Sequence, residues 1–227
     1  AAGVLMIGHA HMGGFGSIEG VAAAKAEIIA GLRPEGIAIL NADDARAAAM
    51  AELAPARVLT FSARGRQADL RAENVDLDAA ARAAFDLHLP GLAEPRRVQL
   101  AVAGVHNVSN ALAAAGLALA AGIAPELVAD RLGSVSIESP HRMDISELSG
   151  DLLLIDDSYN ANIDSMTAAL AVLPALAGDR RRVVVISEML ELGESSAADH
   201  ARTGELAARA GAAMLIGIGS TQEALEA

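Results

Sequence analysis

Short apolar runs alternate along the chain with longer stretches in which apolar positions recur every three or four residues. The runs predict strands at 4–7, 37–40, 57–61, 98–103, 152–155, 183–186 and 214–218. The longer stretches predict helices over 17–31, 44–53, 107–121, 125–132, 163–176 and 196–210. Residues 66–100 carry little helical period and read as strands and loops. Strand-helix alternation of this kind argues for an α/β fold with parallel, doubly wound sheets.

The stretch 133–140 (Gly-Ser-Val-Ser-Ile-Glu-Ser-Pro) breaks the helical period, and a new strand-helix series begins after it. A domain boundary is expected there, giving one domain over 1–138 and a second over 139–227. The last strand and the start of a helix run to the final residue, so the second domain is expected to lack its closing elements. The chain reads as cut at both ends.

Composition sharpens this picture. Hydrophobic residues make up 53% but aromatics only 2%, so the cores must be built from Ala, Leu, Val and Ile. Seventeen basic residues against 29 acidic ones give a net charge of −12, which repels nucleic acid. A phosphate ligand must therefore be held by a local site. The longest apolar stretch, 111–124, falls short of the roughly 20 residues a membrane crossing needs, so no membrane span is expected. With no cysteine and no leader-like N-terminus, a cytoplasmic location is expected.

Four places could carry chemistry. The first is the loop Gly8-His9-Ala10-His11-Met12-Gly13-Gly14-Phe15-Gly16, just past a buried strand, where ligands sit in open α/β sheets. Two histidines alone are a weak metal signature. The following helix, with Ser17 as a good N-cap, places Lys25 in the middle of an apolar face formed by Ile18, Val21, Ile28, Ile29 and Leu32. Such a lysine either snorkels outward or is kept for a purpose, because burying an unpaired ammonium is costly. A neutral buried lysine can take up carbon dioxide as a carbamate able to bind Mg²⁺, and Lys25 could then share a metal site with His11.

The second place is Gly104-Val105-His106-Asn107-Val108-Ser109-Asn110, where Asn107 and Asn110 share one side of a first helical turn. Two amides there can read a purine edge; N-capping by Asn107 is the alternative. The third is a strand ending in Asp156-Asp157, followed by Ser158-Tyr159-Asn160-Ala161-Asn162. Asn162 is expected to cap the next helix, and a carboxylate at the strand end is well placed for ribose hydroxyls, against the alternative of an Asx-rich turn. Finally, Ser196-Ala-Ala-Asp199 reads as a capping box, with His200 after it as a structural residue.

These motifs, in this order, resemble the Mur ligases of peptidoglycan synthesis: the His loop, the Ala-Ala-Lys25 helix, Asn41-Ala-Asp-Asp44, His106-Asn-x-x-Asn110, His141-Arg142 and Asp157-Ser158. The stretch from Asp157 to Asn162, Ser165-Met166 and Met189-Leu-Glu-Leu-Gly193 look like the D-alanyl-D-alanine-adding branch. The resemblance implies part of a central ATP-binding α/β domain followed by a smaller Rossmann-like α/β domain. It implies ATP and Mg²⁺ as cofactors, and UDP-N-acetylmuramoyl-tripeptide and D-alanyl-D-alanine as the partners joined through an acyl phosphate. A monomer is expected. His11 and carbamylated Lys25 would serve Mg²⁺ and catalysis, Asn107 and Asn110 the adenine, and Arg142 and Asp157 the nucleotide. Tyr159, Asn160 and Asn162 would lie near the nucleotide or the dipeptide. Ligands from both domains imply a closing motion that excludes water.

The chain departs from the family pattern in having no Gly-x-x-x-x-Gly-Lys-Ser/Thr phosphate loop, so it is expected to be inactive alone. Smaller departures are Met6, Ile163 and Ser187, where the family usually has Asn, Pro and Gly. The competing readings are a non-catalytic nucleotide- or partner-binding module of the same descent, and a Mur ligase for another amino acid.

Overall fold

In the computed structural model the described residues are 1–8, 12–136, 139–219 and 221–226. Their elements run β1 (Ala2–Val4), α1 (Met12–Phe15), α2 (Ile18–Ala30), β2 (Ile37–Asn41), α3 (Ala45–Ala49), β3 (Arg57–Ser62), β4 (Leu70–Leu77), β5 (Arg82–His88) and β6 (Arg96–Ala103). They continue with α4 (His106–Ala120), α5 (Pro125–Leu132), β7 (Asp144–Leu148), β8 (Leu152–Asp156), α6 (Ile163–Ala177), β9 (Val183–Ser187), α7 (Ser196–Arg209), β10 (Met214–Ile218) and α8 (Gln222–Glu226). Contacts divide the chain into two units, one of residues 1–8, 18–78 and 82–136, the other holding 12–17, 79–81 and the described residues from 139 onward.

The first unit is built on a six-stranded sheet in the order β1-β2-β3-β4-β5-β6. Strands β1 to β4 pair in parallel, whereas β4-β5 and β5-β6 are antiparallel. The expectation of parallel strands holds for β1 to β4 and is corrected for β5 and β6, which run antiparallel to their neighbours. No helix falls between β3 and β6, so the chain returns through loops and hairpins. The parallel pair β3-β4 manages without a crossover because it overlaps by only two residue pairs, Phe61 with Leu70 and Ser62 with Arg71.

Burial follows this division. In β2, 38–41 are all buried, as befits a parallel strand covered on both faces, while β5 alternates, with Ala83, Phe85 and Leu87 buried and their neighbours partly or fully open. Helix α4 lies across the sheet with Val108, Ala111, Leu112 and Ala115 buried, and Gly116 lets it approach closely: a Cβ there would meet Ile39 Cγ2 at 2.8 Å.

The second unit holds an antiparallel pair, β7-β8, and a parallel pair, β9-β10. One face of β9-β10 packs through Val184, Ile186 and Leu215 with Leu170 of α6, Ala207 of α7 and Ala224 of α8. The other face leaves Val183, Val185, Met214, Ile216 and Ile218 exposed. Among the described residues no helix is long and apolar enough to cross a membrane.

Two element ends moved for identifiable reasons. Strand β1 stops at Val4 instead of continuing to residue 7, because the next backbone groups bond to side chains instead of to β2. The helix expected over 44–53 is α-helical only at Ala45–Ala49 and tightens into a 3₁₀ turn at Met50–Leu53, just before Pro55.

Candidate functional site

The segment after β1 is gripped from three sides. The Asn41 side-chain amide donates to the Leu5 carbonyl at 2.7 Å, Lys25 Nζ donates to the Met6 carbonyl at 2.9 Å, and the Ile7 N–H donates to Asp44 Oδ2 at 2.6 Å. Asp44 also caps α3 by accepting from the Arg46 and Ala47 N–H groups, so one carboxylate fixes both a helix start and the strand exit. Its neighbour Asp43 accepts from the Ser62 hydroxyl and the Ala63 N–H, each at 2.8 Å, tying the end of β3 to the same corner. The Asn-Ala-Asp-Asp motif thus gathers the carboxyl ends of three strands.

Lys25 is not in the middle of a buried face. The buried residues of α2 are Val21, Ala26 and Ile29, while Lys25 is exposed and Ile28 is 57% open. The lysine has taken the snorkelling course, with its stem beside Met6 and Ile28 in an open groove and its nitrogen on the Met6 carbonyl. His11, its expected metal partner, lies outside the described residues, as does His9. Among the described residues no cluster of three or more His, Asp or Glu side chains could hold a metal ion. An amine that donates to a carbonyl is not a cation ligand, so the described residues do not by themselves fit Mg²⁺.

At the other end of the sheet, Gly104 turns the chain from β6 into α4 at φ 102, a conformation open to glycine. The helix starts at His106 behind Val105, so Asn107 does not cap it. Instead the Asn107 amide donates back to the Ala103 carbonyl at 2.7 Å, and its Oδ1 accepts from Asn110 Nδ2 at 2.9 Å. Asn107 is 9% exposed and anchored; Asn110 is exposed, with its carbonyl and second N–H available to a ligand.

In the second unit the residues 141–162 form one cluster. The Asp157 Oδ1 accepts from the Met143 N–H at 3.0 Å, the Tyr159 N–H donates to the His141 carbonyl at 3.0 Å, and the Arg142 guanidinium sits over the Tyr159 ring at 4.0 Å. Asp156 accepts from the Ser158 hydroxyl at 2.6 Å and faces His141 Nδ1 at 2.7 Å. The Ser158 hydroxyl first, and His141 next, hold its carboxyl down from 3.8 to about 2. Asn160 bonds the Ala161 N–H next to it. Asn162 forms a reciprocal capping box with Ser165 at the start of α6, as its place before a helical period suggests. Arg142, Asp157 and Tyr159 are therefore neighbours, while Asn162 is occupied in capping. The bonds of His141 and Asp156 were not legible beforehand; adjacent His and Arg before a strand was the one signal.

The capping box expected at Ser196 is corrected: α7 begins behind Ser195, whose hydroxyl bonds the Leu192 carbonyl and Asp199. His200, 1% exposed, is structural; its Nδ1 meets the Ser196 carbonyl at 2.8 Å and its Nε2 accepts from the Met189 N–H at 3.0 Å.

The chain matches the Mur ligase middle domain over residues 1–118 and the Mur ligase, glutamate ligase domain over 141–227. It belongs to the Mur ligase family. It is 42% identical over 221 residues to the UDP-N-acetylmuramoyl-tripeptide--D-alanyl-D-alanine ligase of Mycobacterium bovis, covering 96% of this chain and 43% of that protein. The Escherichia coli protein of the same name is 38% identical, over 95% of this chain and 47% of its own length. A crystal structure of MurF from Acinetobacter baumannii superposes with a TM-score of 0.87 at 35% identity, covering 99% of this chain and 48% of that one. This Mur ligase chain thus spans about half the length of the curated relatives it matches.

Proposed function

We propose that this chain is the nucleotide-handling half of an ATP-dependent, cytoplasmic Mur ligase that adds D-alanyl-D-alanine to UDP-N-acetylmuramoyl-tripeptide, with domains over 1–138 and 139–227. The observation that carries the reading is the likeness to UDP-N-acetylmuramoyl-tripeptide--D-alanyl-D-alanine ligases along 96% of the chain. In the whole enzyme, the amine of the dipeptide attacks the tripeptide carboxyl carbon, activated as an acyl phosphate, and phosphate leaves.

The chain's own residues suit the adenosine end. Asn110 offers one acceptor and one donor to the adenine edge, and Asn107, fixed on the Ala103 carbonyl, holds Asn110 in place. Asp157 keeps Oδ2 for a ribose hydroxyl while Oδ1 is on the Met143 N–H. Arg142 supplies positive charge in a chain whose net charge is −12. Charge neutralisation would fall to Mg²⁺, held by His11 together with Lys25 in its carbamylated form, since the free amine on the Met6 carbonyl is no cation ligand.

Calorimetric titration of ATP and ADP in the presence of Mg²⁺, beside Asn110→Ala and Asp157→Ala, tests this reading. Similar binding of both nucleotides, weakened about tenfold or more by either substitution, is expected from the loss of one or two ligand hydrogen bonds. Binding indifferent to both substitutions, or none at all, would move a non-catalytic module of the same descent ahead.

A further inference from the structure

Arg142 stands in a backbone that resists its own shape. The residues on either side of it, His141 at φ 61 and Met143 at φ 49, both lie in the left-handed region that non-glycine residues rarely occupy. A turn of this kind persists only where its surroundings over-determine it. Four contacts do so. Tyr159 N–H holds the His141 carbonyl, Asp157 holds the Met143 N–H, Asp156 holds the His141 ring, and the Arg142 guanidinium lies over the Tyr159 ring.

Asp156 is common to both sides of this arrangement. Its Oδ2 faces the imidazole of His141 at 2.7 Å, while its Oδ1 accepts from both the hydroxyl and the N–H of Ser158, at 2.6 and 3.1 Å. One carboxylate at the end of β8 therefore sets the turn that carries Arg142 and the turn that carries Tyr159. Arg142 itself is exposed and, among the described residues, pairs with no carboxylate. Its contact is with a ring, which leaves the guanidinium N–H donors for an outside anion, and forked donors of that kind suit phosphate oxygens.

We propose that Asp156, acting through His141 and Ser158, is a positioning residue that presents Arg142 to the phosphate end of the bound nucleotide. This rests on the nucleotide-binding reading given above. Asp156 touches no ligand in this scheme. It removes the freedom of the 141–143 turn, so that Arg142 meets its anion without first having to be ordered.

The chain supplies its own reporter. Tyr159 is the only tyrosine and there is no tryptophan, so ultraviolet-excited emission comes from the ring beneath Arg142. The experiment compares the chain with Asp156→Ala, His141→Ala and Arg142→Ala. It reads acrylamide quenching of tyrosine emission, and calorimetric affinity for ADP and for adenosine. In Asp156→Ala and His141→Ala, quenching is expected to rise toward its value in Arg142→Ala. ADP affinity is expected to fall about tenfold, the scale of one charge-assisted contact, with adenosine affinity unchanged. His141→Ala severs one arm only at an exposed side chain, so it reports even if Asp156→Ala fails to fold.

Loss of ADP binding in Arg142→Ala alone, with the other two like the parent, overturns the positioning role and leaves the nucleotide reading intact. An equal fall for ADP and adenosine in Asp156→Ala also overturns it, because general loosening would then be the cause. If the parent chain binds neither probe, the nucleotide reading fails, and with it the anion-presenting role; unchanged quenching would then refute the clamp itself as well.

Discussion

His200 shows how much one side chain can decide. Its two ring nitrogens meet a carbonyl and an N–H, so both are satisfied only in the neutral tautomer with the proton on Nδ1, donating to Ser196 and accepting from Met189. That bond pins Met189 below the surface while Leu190, the next residue, is 71% exposed. His200→Ala is expected to cost about 2–4 kcal/mol, from a cavity plus the buried Met189 N–H left without its acceptor, and His200→Gln less; chemical denaturation of the three chains checks it. The sequence marked this residue as structural by its place in a helix. It did not reveal the partner eleven residues earlier, since nothing in a helical period encodes which loop folds over it. Lys25 teaches the converse. Its helical angle placed it among apolar residues, yet a flexible four-carbon stem let the nitrogen reach the Met6 carbonyl outside that face.

Elements were legible where their ends carry local chemistry. Helix α5 runs over Pro125–Leu132 as the proline and the period indicate, and α6 begins where Asn162 and Ser165 cap each other. Asn162→Ala is expected to lower stability by about 1 kcal/mol, visible as a shifted denaturation midpoint with helix content otherwise retained. If Asn162 also met a ligand, as the family resemblance implies, Asn162→Asp would weaken nucleotide binding; as a cap alone it would leave binding unaltered. Elements failed to be legible where tertiary pairing decides. All five residues of β7 are exposed, so no buried stripe announced it, and it exists because its backbone pairs with β8. Strand β1 was placed too late because Leu5 and Ile7 look like strand residues, while their backbone partners are side chains of Asn41 and Asp44.

At the scale of the molecule, alternation of strands and helices gave the α/β class, but direction within the sheet depended on where helices were missing. Each unit has buried apolar residues of its own. Phe61 and Phe85 are fully buried in the first, and Leu170, Val184 and Ala207 fill the second. Phe85→Ala is expected to destabilise the first unit by about 3–5 kcal/mol. Tyrosine emission, which reports from the second unit, should then melt near its original temperature while far-ultraviolet circular dichroism shows an earlier transition. A single coincident transition in that variant would show that the units unfold together.

The open face of β9-β10 has its own consequence. Val183, Val185, Met214, Ile216 and Ile218 are the kind of residues found in an interior, yet in the described residues they face solvent. Polar replacements there would remove less burial than at Val184 or Ile186 on the packed face, so a heat-stability screen of this chain would rate all five as the more variable positions. Tolerance measured in that way describes the chain in the tube; what the positions demand wherever the face is covered is a separate quantity, to which such a screen is blind.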